Sequence, residues 1–284
     1  MDSADTGAAA DGSAGSMIRR AKLVRFDKLA DNGRSKPLRV VIETQDNKEF
    51  EVVMKPSCGL ELGVEALANE MLGSLVAVNL GLPVAEPFFV EIDSDFLDSI
   101  INPELRHRLA TSNPLAFASR DTGAQWRGWS MADRVRTSML PLALAIFAFD
   151  AFIGNHDRTV QNPNLRVNED AWCLIDHEAA FSFRLKLFPP CQPWVTGNLS
   201  GISTKGANTE HVFSRGLRAW DTRNFSDVHT GWASLSDAQL STYETALPAE
   251  WGGALRAVRD VVAHVQTVRD RIDACVRELE RVLS

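Results

Sequence analysis

The sequence predicts an α+β protein built as two lobes, a small β-rich lobe followed by a mostly helical one. Two runs of alternating apolar and polar residues, at 38–44 and 49–55, are typical of half-buried strands. Apolar residues at helical spacing dominate the second half, above all at 138–153 and from Leu255 onwards. This change of period along the chain indicates where each kind of lobe lies.

Polar stretches predict the limits of the lobes. Residues 1–16 are almost all Ala, Gly, Ser and Asp without apolar spacing. They cannot offset the entropy cost of ordering, so we expect a disordered tail. The polar stretch Asp93-Ser-Asp95 follows the last strand predicted for the first lobe. We therefore place the β-rich lobe at 17–93 and the helical lobe at 94–284.

Three strands, a helix and a fourth strand are predicted for the first lobe. Gln45-Asp-Asn-Lys48 supplies turn residues between two strands, which favours a β-hairpin. Apolar residues at helical spacing begin at Val64, and Gly81 followed by Pro83 is a typical helix stop. In chain order the elements are strands at 22–26, 38–44 and 49–55, a helix at 63–80, and a strand at 84–92.

The second lobe is predicted to form around the apolar helix 138–153, which Gly154 ends. This helix supports the polar loop 155–162. The elements that follow are a small hairpin at 165–167 and 171–175 and a long amphipathic helical region from Leu255, which we expect to pack on the core.

Composition limits the classes of function. The 284 residues are 45% hydrophobic and 24% charged, which is ordinary for a globular protein. A net charge of -7 disfavours nonspecific binding to nucleic acid or to an anionic membrane. No apolar run approaches the roughly 18 residues of a spanning helix, and the chain does not open on a signal-peptide pattern. We expect a cytoplasmic protein. Its four cysteines lack the spacing of a zinc site.

The loop after the apolar helix carries an Asp and an Asn five positions apart, Asp157 and Asn162. Asp176 closes the apolar run 172–175 downstream. Enzymes of phosphoryl transfer use this layout, because the first Asp can accept the proton of an attacking hydroxyl. The Asn oxygen and the second Asp are hard oxygen ligands, which magnesium prefers. The sequence predicts Asp157 as a base and Asn162 with Asp176 as magnesium ligands.

The same chemistry requires a cation on the nucleotide phosphates and an acid that holds it. Lys55 ends the second strand of the hairpin, and Glu70 lies at the edge of the apolar stripe of the helix 63–80. In protein kinases a strand Lys pairs with a helix Glu and reaches the phosphates. Lys55 and Glu70 are therefore the candidates, with Glu65 as an alternative partner. Gly33 is a weaker candidate for covering phosphates through backbone N–H groups.

Four segments of the chain together resemble the HipA-like serine/threonine kinases, which are distantly similar to the phosphatidylinositol kinases. They are Val53-Met-Lys-Pro56, Asn69-Glu70, Asn155-His-Asp-Arg-Thr-Val-Gln-Asn162 and Leu174-Ile-Asp-His-Glu178. The resemblance spans residues 22–190 and implies an atypical bilobal, protein-kinase-like fold that uses ATP and magnesium.

The resemblance also implies roles for individual residues. Lys55 would contact the ATP phosphates and Glu70 would anchor it, with Asp157 as base and Asn162 and Asp176 on magnesium. Ser35, beside Gly33, would correspond to a serine that toxin members autophosphorylate. The chain departs from the fuller pattern at Thr159, where members place a His.

Three functions stay open from the sequence. The first is an ATP- and magnesium-dependent kinase that transfers the γ-phosphate to a Ser/Thr hydroxyl of a protein substrate, with autophosphorylation and a regulatory partner as further expectations. The second is a small-molecule phosphotransferase similar to the aminoglycoside kinases, which usually carry a His where this chain has Asn155. The third is a nucleotide-binding pseudokinase scaffold, which would need no base. The complete residue set favours the first.

Overall fold

A computed structural model of the chain describes residues 18–30, 35–184, 192–203 and 210–284. The predicted disordered tail at 1–16 and Gly33 lie outside the described residues. Strands are concentrated in the N-terminal part and helices in the C-terminal part. The α+β class predicted from the sequence is confirmed.

The first three strands form an antiparallel ladder. They are β1, Arg19–Leu29, β2, Leu38–Thr44, and β3, Glu49–Lys55. The hairpin of β2 and β3 has the predicted bounds, and its turn contains Asn47 at a φ of 56°, a conformation that Asn tolerates. Val40 pairs with Val52 and Leu38 with Met54, and these buried side chains belong to one hydrophobic cluster inside the sheet.

The helix that follows, α1, spans Val64–Asn79, close to the predicted 63–80. Its residues 66–77 are all buried. The helix is therefore enclosed on every side, and is not the one-sided amphipathic helix of a protein surface. An element enclosed in this way can hold a charged side chain in a fixed place.

Two further strands close the sheet into a barrel. The elements in chain order are β4, Pro87–Glu91, α2, Ser94–Ser99, α3, Pro103–Ala110, and β5, Leu115–Arg120. The strand order is β1-β2-β3-β5-β4, and parallel pairing of β1 with β4 completes the closure. The sequence did not predict β5, which lies beyond residue 93. The division into lobes at that residue stays a prediction, although the barrel takes its closing strand from the other side of it.

The middle of the chain contains a second sheet and the apolar helix. The elements are β6, Arg127–Gly128, α4, Leu140–Ile153, β7, Leu165–Asn168, and β8, Ala171–Leu174. The apolar helix is confirmed, and Gly154 ends it at a φ of 66°, a left-handed conformation that glycine adopts without strain. The three strands form one antiparallel sheet, and a bridge between Leu174 and Val84 attaches it to the segment before β4.

Within the described residues 210–284, five helices follow: α5, Ser214–Arg218, α6, Ser226–Ala233, α7, Asp237–Thr245, α8, Leu255–Asp270, and α9, Ile272–Leu283. The long region predicted from Leu255 is thus two helices that meet at Arg271. Trp251, just before α8, is fully buried, donates to the Leu115 carbonyl at 2.9 Å and packs edge-on against Phe89. One face of the barrel strands therefore packs into the hydrophobic core of the helical part, while the barrel interior forms a core of its own. None of the helices in the described ranges is long and apolar enough to cross a membrane.

Candidate active site

The end of β3 places a buried ammonium group among three carboxylates. Lys55 is 6% exposed, and its Nζ donates to Glu70 Oε1 at 2.5 Å, Asp176 Oδ1 at 2.8 Å and Glu178 Oε2 at 3.0 Å. We name these four residues the Lys55 cluster. One ammonium group faces three carboxyl groups, so the cluster has more acidic than basic groups.

Helix α1 holds its side of the Lys55 cluster through several hydrogen bonds. Glu70 Oε2 accepts the backbone N–H of His177 at 2.8 Å, and Asn69 donates to the Glu178 carbonyl at 3.1 Å. Glu65, the alternative partner for Lys55, pairs instead with Arg184 at 2.5 Å. The helix is thus bonded directly to the 176–178 segment.

Close backbone approach between α1 and this segment depends on Gly73. A Cβ atom at Gly73 would lie 2.5 Å from the Cβ of His177 and 2.7 Å from its Cγ. Real Cβ atoms essentially never come so near, so glycine is required for the contact. The absence of a side chain at residue 73 therefore lets Glu70 reach both Lys55 and His177.

Asp176 follows β8 in a left-handed backbone conformation, with a φ of 61°. This conformation costs a non-glycine residue roughly 1–2 kcal/mol, and surrounding contacts must hold it. Here those contacts are the ion pair to Lys55 and the hydrogen bonds of His177 and Glu178 to α1. Strain of this kind is concentrated at functional sites.

Burial and charge shift the pKa values of the cluster in opposite directions. Burial raises the pKa of Glu70 to about 7, even though Lys55 opposes the shift. Burial would also raise the pKa of Asp176, but the Lys55 charge lowers it below the usual value. For Lys55 itself, burial alone would lower the pKa, and the three carboxylates raise it well above the usual value. Lys55 is therefore a permanent cation.

The loop after α4 brings Asp157 together with two amide side chains. Asp157 Oδ2 accepts from Asn162 Nδ2 at 2.7 Å and from Asn164 Nδ2 at 3.1 Å. Because Asn162 directs its nitrogen to Asp157, its oxygen is the atom that it can offer to a metal ion. Asn155 Oδ1 also accepts the N–H of Asp157 at 3.2 Å. The carboxylate is held in place from several sides.

A buried ion pair lies directly behind this loop. Arg158 and Asp150 are both 0% exposed, and Arg158 Nε donates to Asp150 Oδ2 at 2.6 Å. Asn155 donates to the other carboxylate oxygen at 2.8 Å, and His211 Nε2 lies 3.1 Å from Asp150 Oδ2. We name these four residues the Asp150 cluster.

Backbone hydrogen bonds join the Asp157 loop to the end of β8. The Ile175 N–H donates to the Asn164 carbonyl at 3.2 Å, and Arg158 Nη1 donates both to the Asn164 carbonyl and to the Ile175 carbonyl. Ile175 directly precedes Asp176. The segment that carries Asp157 is therefore connected to the segment that carries Asp176.

The structure thus brings Lys55, Glu70 and Asp176 together in one cluster and Asp157 and Asn162 together in another. Ser35 lies elsewhere, three residues before β2, and Arg108 donates to its carbonyl at 2.7 Å. The sequence analysis assigned no catalytic or metal-binding role to Glu178, although it lies only two residues after Asp176. It missed Asn164, Asp150 and His211, and His211 carries no local signal because its contacts are distant in sequence.

Three carboxylates of the Lys55 cluster could hold a metal ion. Glu70, Asp176 and Glu178 offer oxygen atoms that lie within 4.8 Å of one another. Hard oxygen donors of this kind suit magnesium. Of the two predicted magnesium ligands, Asp176 belongs to this set.

A family model described as HipA-like kinase matches residues 28–189, more than half of the chain. No curated protein matches. Among solved structures, a Helicobacter pylori proinflammatory kinase, CtkA, has 10% sequence identity and a TM-score of 0.45, over 94% of this chain and 99% of that one. On the family match, the chain belongs to the HipA-like kinases and is a phosphotransferase.

Proposed function

We propose that the chain is an ATP- and magnesium-dependent kinase that transfers the γ-phosphate to a Ser/Thr hydroxyl of a protein substrate. The observation that carries the proposal is the Lys55 cluster, a buried permanent cation among three acids, bonded through the backbone to the loop of Asp157. Few binding scaffolds need a fixed cation, metal-ligating oxygens and a held carboxylate in adjacent segments.

In this proposal the two parts of the molecule are the two lobes of a kinase, with ATP between the barrel and the helical part. Lys55 contacts the phosphates, and Glu70 fixes the direction of its ammonium group. Asp176, with Glu178 or the Asn162 oxygen, would hold magnesium, which neutralises charge on the phosphates when bound. The chemistry of these oxygen donors fits that ion.

Asp157 receives the acceptor hydroxyl. Its Oδ2 is held by Asn162 and Asn164, so the carboxylate keeps one orientation toward an incoming hydroxyl. Because phosphoryl transfer has a loose transition state, positioning and charge neutralisation supply most of the acceleration. The proton of the hydroxyl passes to Asp157 as transfer is completed.

The acceptor class is tested with γ-labelled ATP, magnesium, the purified chain and a cell lysate that retains its small molecules, and label is counted above that of the lysate alone. We expect magnesium-dependent label on protein, released by phosphoamino acid analysis as phosphoserine or phosphothreonine. Label found only in small molecules would overturn the proposal that the acceptor is a protein. If no label appears and no ATP is consumed, the kinase proposal itself is overturned. Peptide mapping of the labelled chain tests Ser35. A cytoplasmic location and a regulatory partner stay predictions from the sequence.

A further inference from the structure

The Asp150 cluster lies outside the residues that would touch ATP, yet two of its members, Asn155 and Arg158, belong to the Asp157 loop. The Asp150 carboxylate is fully buried and receives three donors, one each from Asn155, Arg158 and His211. A buried carboxylate is tolerated only when it is paired and hydrogen-bonded, and this one is.

Arg158 connects Asp150 to both parts of the site, the Asp157 loop and the segment that carries Asp176. It directly follows Asp157, and its Nη1 donates to the carbonyls of Asn164 and Ile175. Asn164 holds the Asp157 carboxylate, and Ile175 precedes Asp176. Movement of the Arg158 guanidinium would therefore displace both catalytic segments together.

His211 contacts Asp150 Oδ2, the same carboxylate oxygen that accepts the hydrogen bond of Arg158 Nε. Its Nδ1 accepts the Phe213 N–H at 3.2 Å, so the ring proton lies on Nε2 and is donated to Asp150 Oδ2. The backbone around His211 is also paired with the Asp157 loop, through Val160 N–H to the Glu210 carbonyl and Val212 N–H to the Arg158 carbonyl, both at 3.1 Å. His211 thus reaches the loop both through its ring and through its backbone neighbours.

We infer that His211 is a positioning residue for phosphoryl transfer, which acts by holding Asp150 and, through Arg158, the geometry of Asp157 and Asp176. The inference rests on the proposed function of Asp157 as the group that receives the acceptor hydroxyl. If His211 only packed against its neighbours, its ring contacts with Phe147 and Phe213 would matter, but its hydrogen bond to Asp150 would not.

Two substitutions separate the positioning role from the packing role. Both remove the imidazole ring, but only one of them keeps a donor to Asp150. In His211→Gln the side-chain amide nitrogen takes the place of Nε2 and can still donate to Asp150. In His211→Asn the shorter amide can accept the Phe213 N–H but does not reach Asp150. We expect His211→Gln to keep kcat within about threefold of wild type and His211→Asn to lower kcat by at least about tenfold. The KM for ATP should change less than kcat in His211→Asn, because the ion pair between Lys55 and Glu70 does not depend on Arg158.

Hydrogen exchange of the peptide 155–164 supplies a readout that does not depend on catalysis. We expect faster exchange in His211→Asn than in His211→Gln or wild type. Equal losses of kcat in the two variants, equal exchange, or full activity in His211→Asn would each overturn the inference. Should His211→Asn fail to fold, His211→Gln decides alone, and a folded His211→Gln that loses about tenfold in kcat would overturn it. An inactive wild type would refute the proposed function instead, and the exchange comparison would still test the positioning role.

Discussion

Gly73→Ala places one methyl group against the backbone that carries the site. The new Cβ would lie 2.5 Å from His177 Cβ and 2.7 Å from His177 Cγ. Carbon atoms are in ordinary contact at about 3.5–4.0 Å, so α1 and the 176–178 segment must separate by about 1 Å. That separation acts directly on Glu70, which holds the His177 N–H and the Lys55 ammonium group.

The expected magnitude differs between stability and activity. Overpacking a core costs roughly 1–3 kcal/mol, whereas replacing a helical glycine by alanine returns roughly 0.5–1 kcal/mol. The free energy of unfolding should therefore fall by between about zero and 2.5 kcal/mol. A misplacement of about 1 Å in a catalytic arrangement costs on the order of a hundredfold in rate, or ~2.7 kcal/mol in activation free energy.

The assay is initial-rate transfer of labelled γ-phosphate, measured beside thermal unfolding of the same samples. Gly231→Ala is the matched control, because Gly231 is also helical and the nearest atom to its added Cβ would be Leu80 Cδ2 at 3.9 Å, an ordinary contact. We expect Gly231→Ala to keep wild-type activity. Combining Gly73→Ala with His177→Gly removes the colliding Cβ and should recover part of the lost rate.

Wild-type activity in a folded Gly73→Ala would refute this reasoning. It would mean that the 176–178 segment can retreat from α1 without cost to the Lys55 cluster. Equal losses of activity in Gly73→Ala and Gly231→Ala would also contradict it, since a general effect of helical alanine would then explain both.

Two further predictions concern the charges of the site. Glu178→Gln keeps the side-chain size but removes one negative charge from the Lys55 cluster. We therefore expect the apparent magnesium affinity in ATP turnover to fall by about tenfold or more. The control is Glu104→Gln at an exposed position, which should keep the magnesium affinity of wild type. Burial alone would raise the pKa of Asp150, but Arg158 and His211 hold this pKa below its usual value. The ionised carboxylate therefore stabilises the folded state above about pH 4, and this stability is lost as the pH falls through the lowered pKa. Denaturant titrations below pH 4 should therefore show a shallower loss of unfolding free energy with falling pH in Asp150→Asn than in wild type, and parallel pH profiles would contradict this prediction.

Local patterns were sufficient to predict the elements that carry the site. The β2–β3 hairpin, α1 and α4 depend on alternation, helical spacing and stop residues, all of which lie within a few positions along the chain. β5 was missed because its first four residues, Leu115-Ala-Phe-Ala118, are buried on both faces and show no alternation. Closure of the barrel depends on pairing between β1 and β4, which are far apart in sequence.

Within the site, the residue types indicated the chemistry but not every residue that takes part in it. Lys55 and Glu70 could be paired from sequence because a strand end and a helix edge set their directions, and in the structure Lys55 Nζ donates to Glu70 Oε1. The choice of Glu70 over Glu65 depends on Arg184, which binds Glu65 from a distant segment. The Asp150 cluster could not be found because His211 lies 61 residues from its partner. Pairings of this length are fixed by tertiary packing.

The most direct test of the account is the rate of γ-phosphate transfer by wild type and by Asp157→Asn, with the affinity for magnesium-bound ATP measured on the same preparations. The exposed Asp221→Asn serves as a matched control for loss of one carboxylate. The account predicts that Asp157→Asn loses nearly all transfer while its ATP affinity stays close to wild type. Equal transfer by wild type and Asp157→Asn would contradict the assignment of Asp157 and with it the proposed phosphoryl-transfer centre.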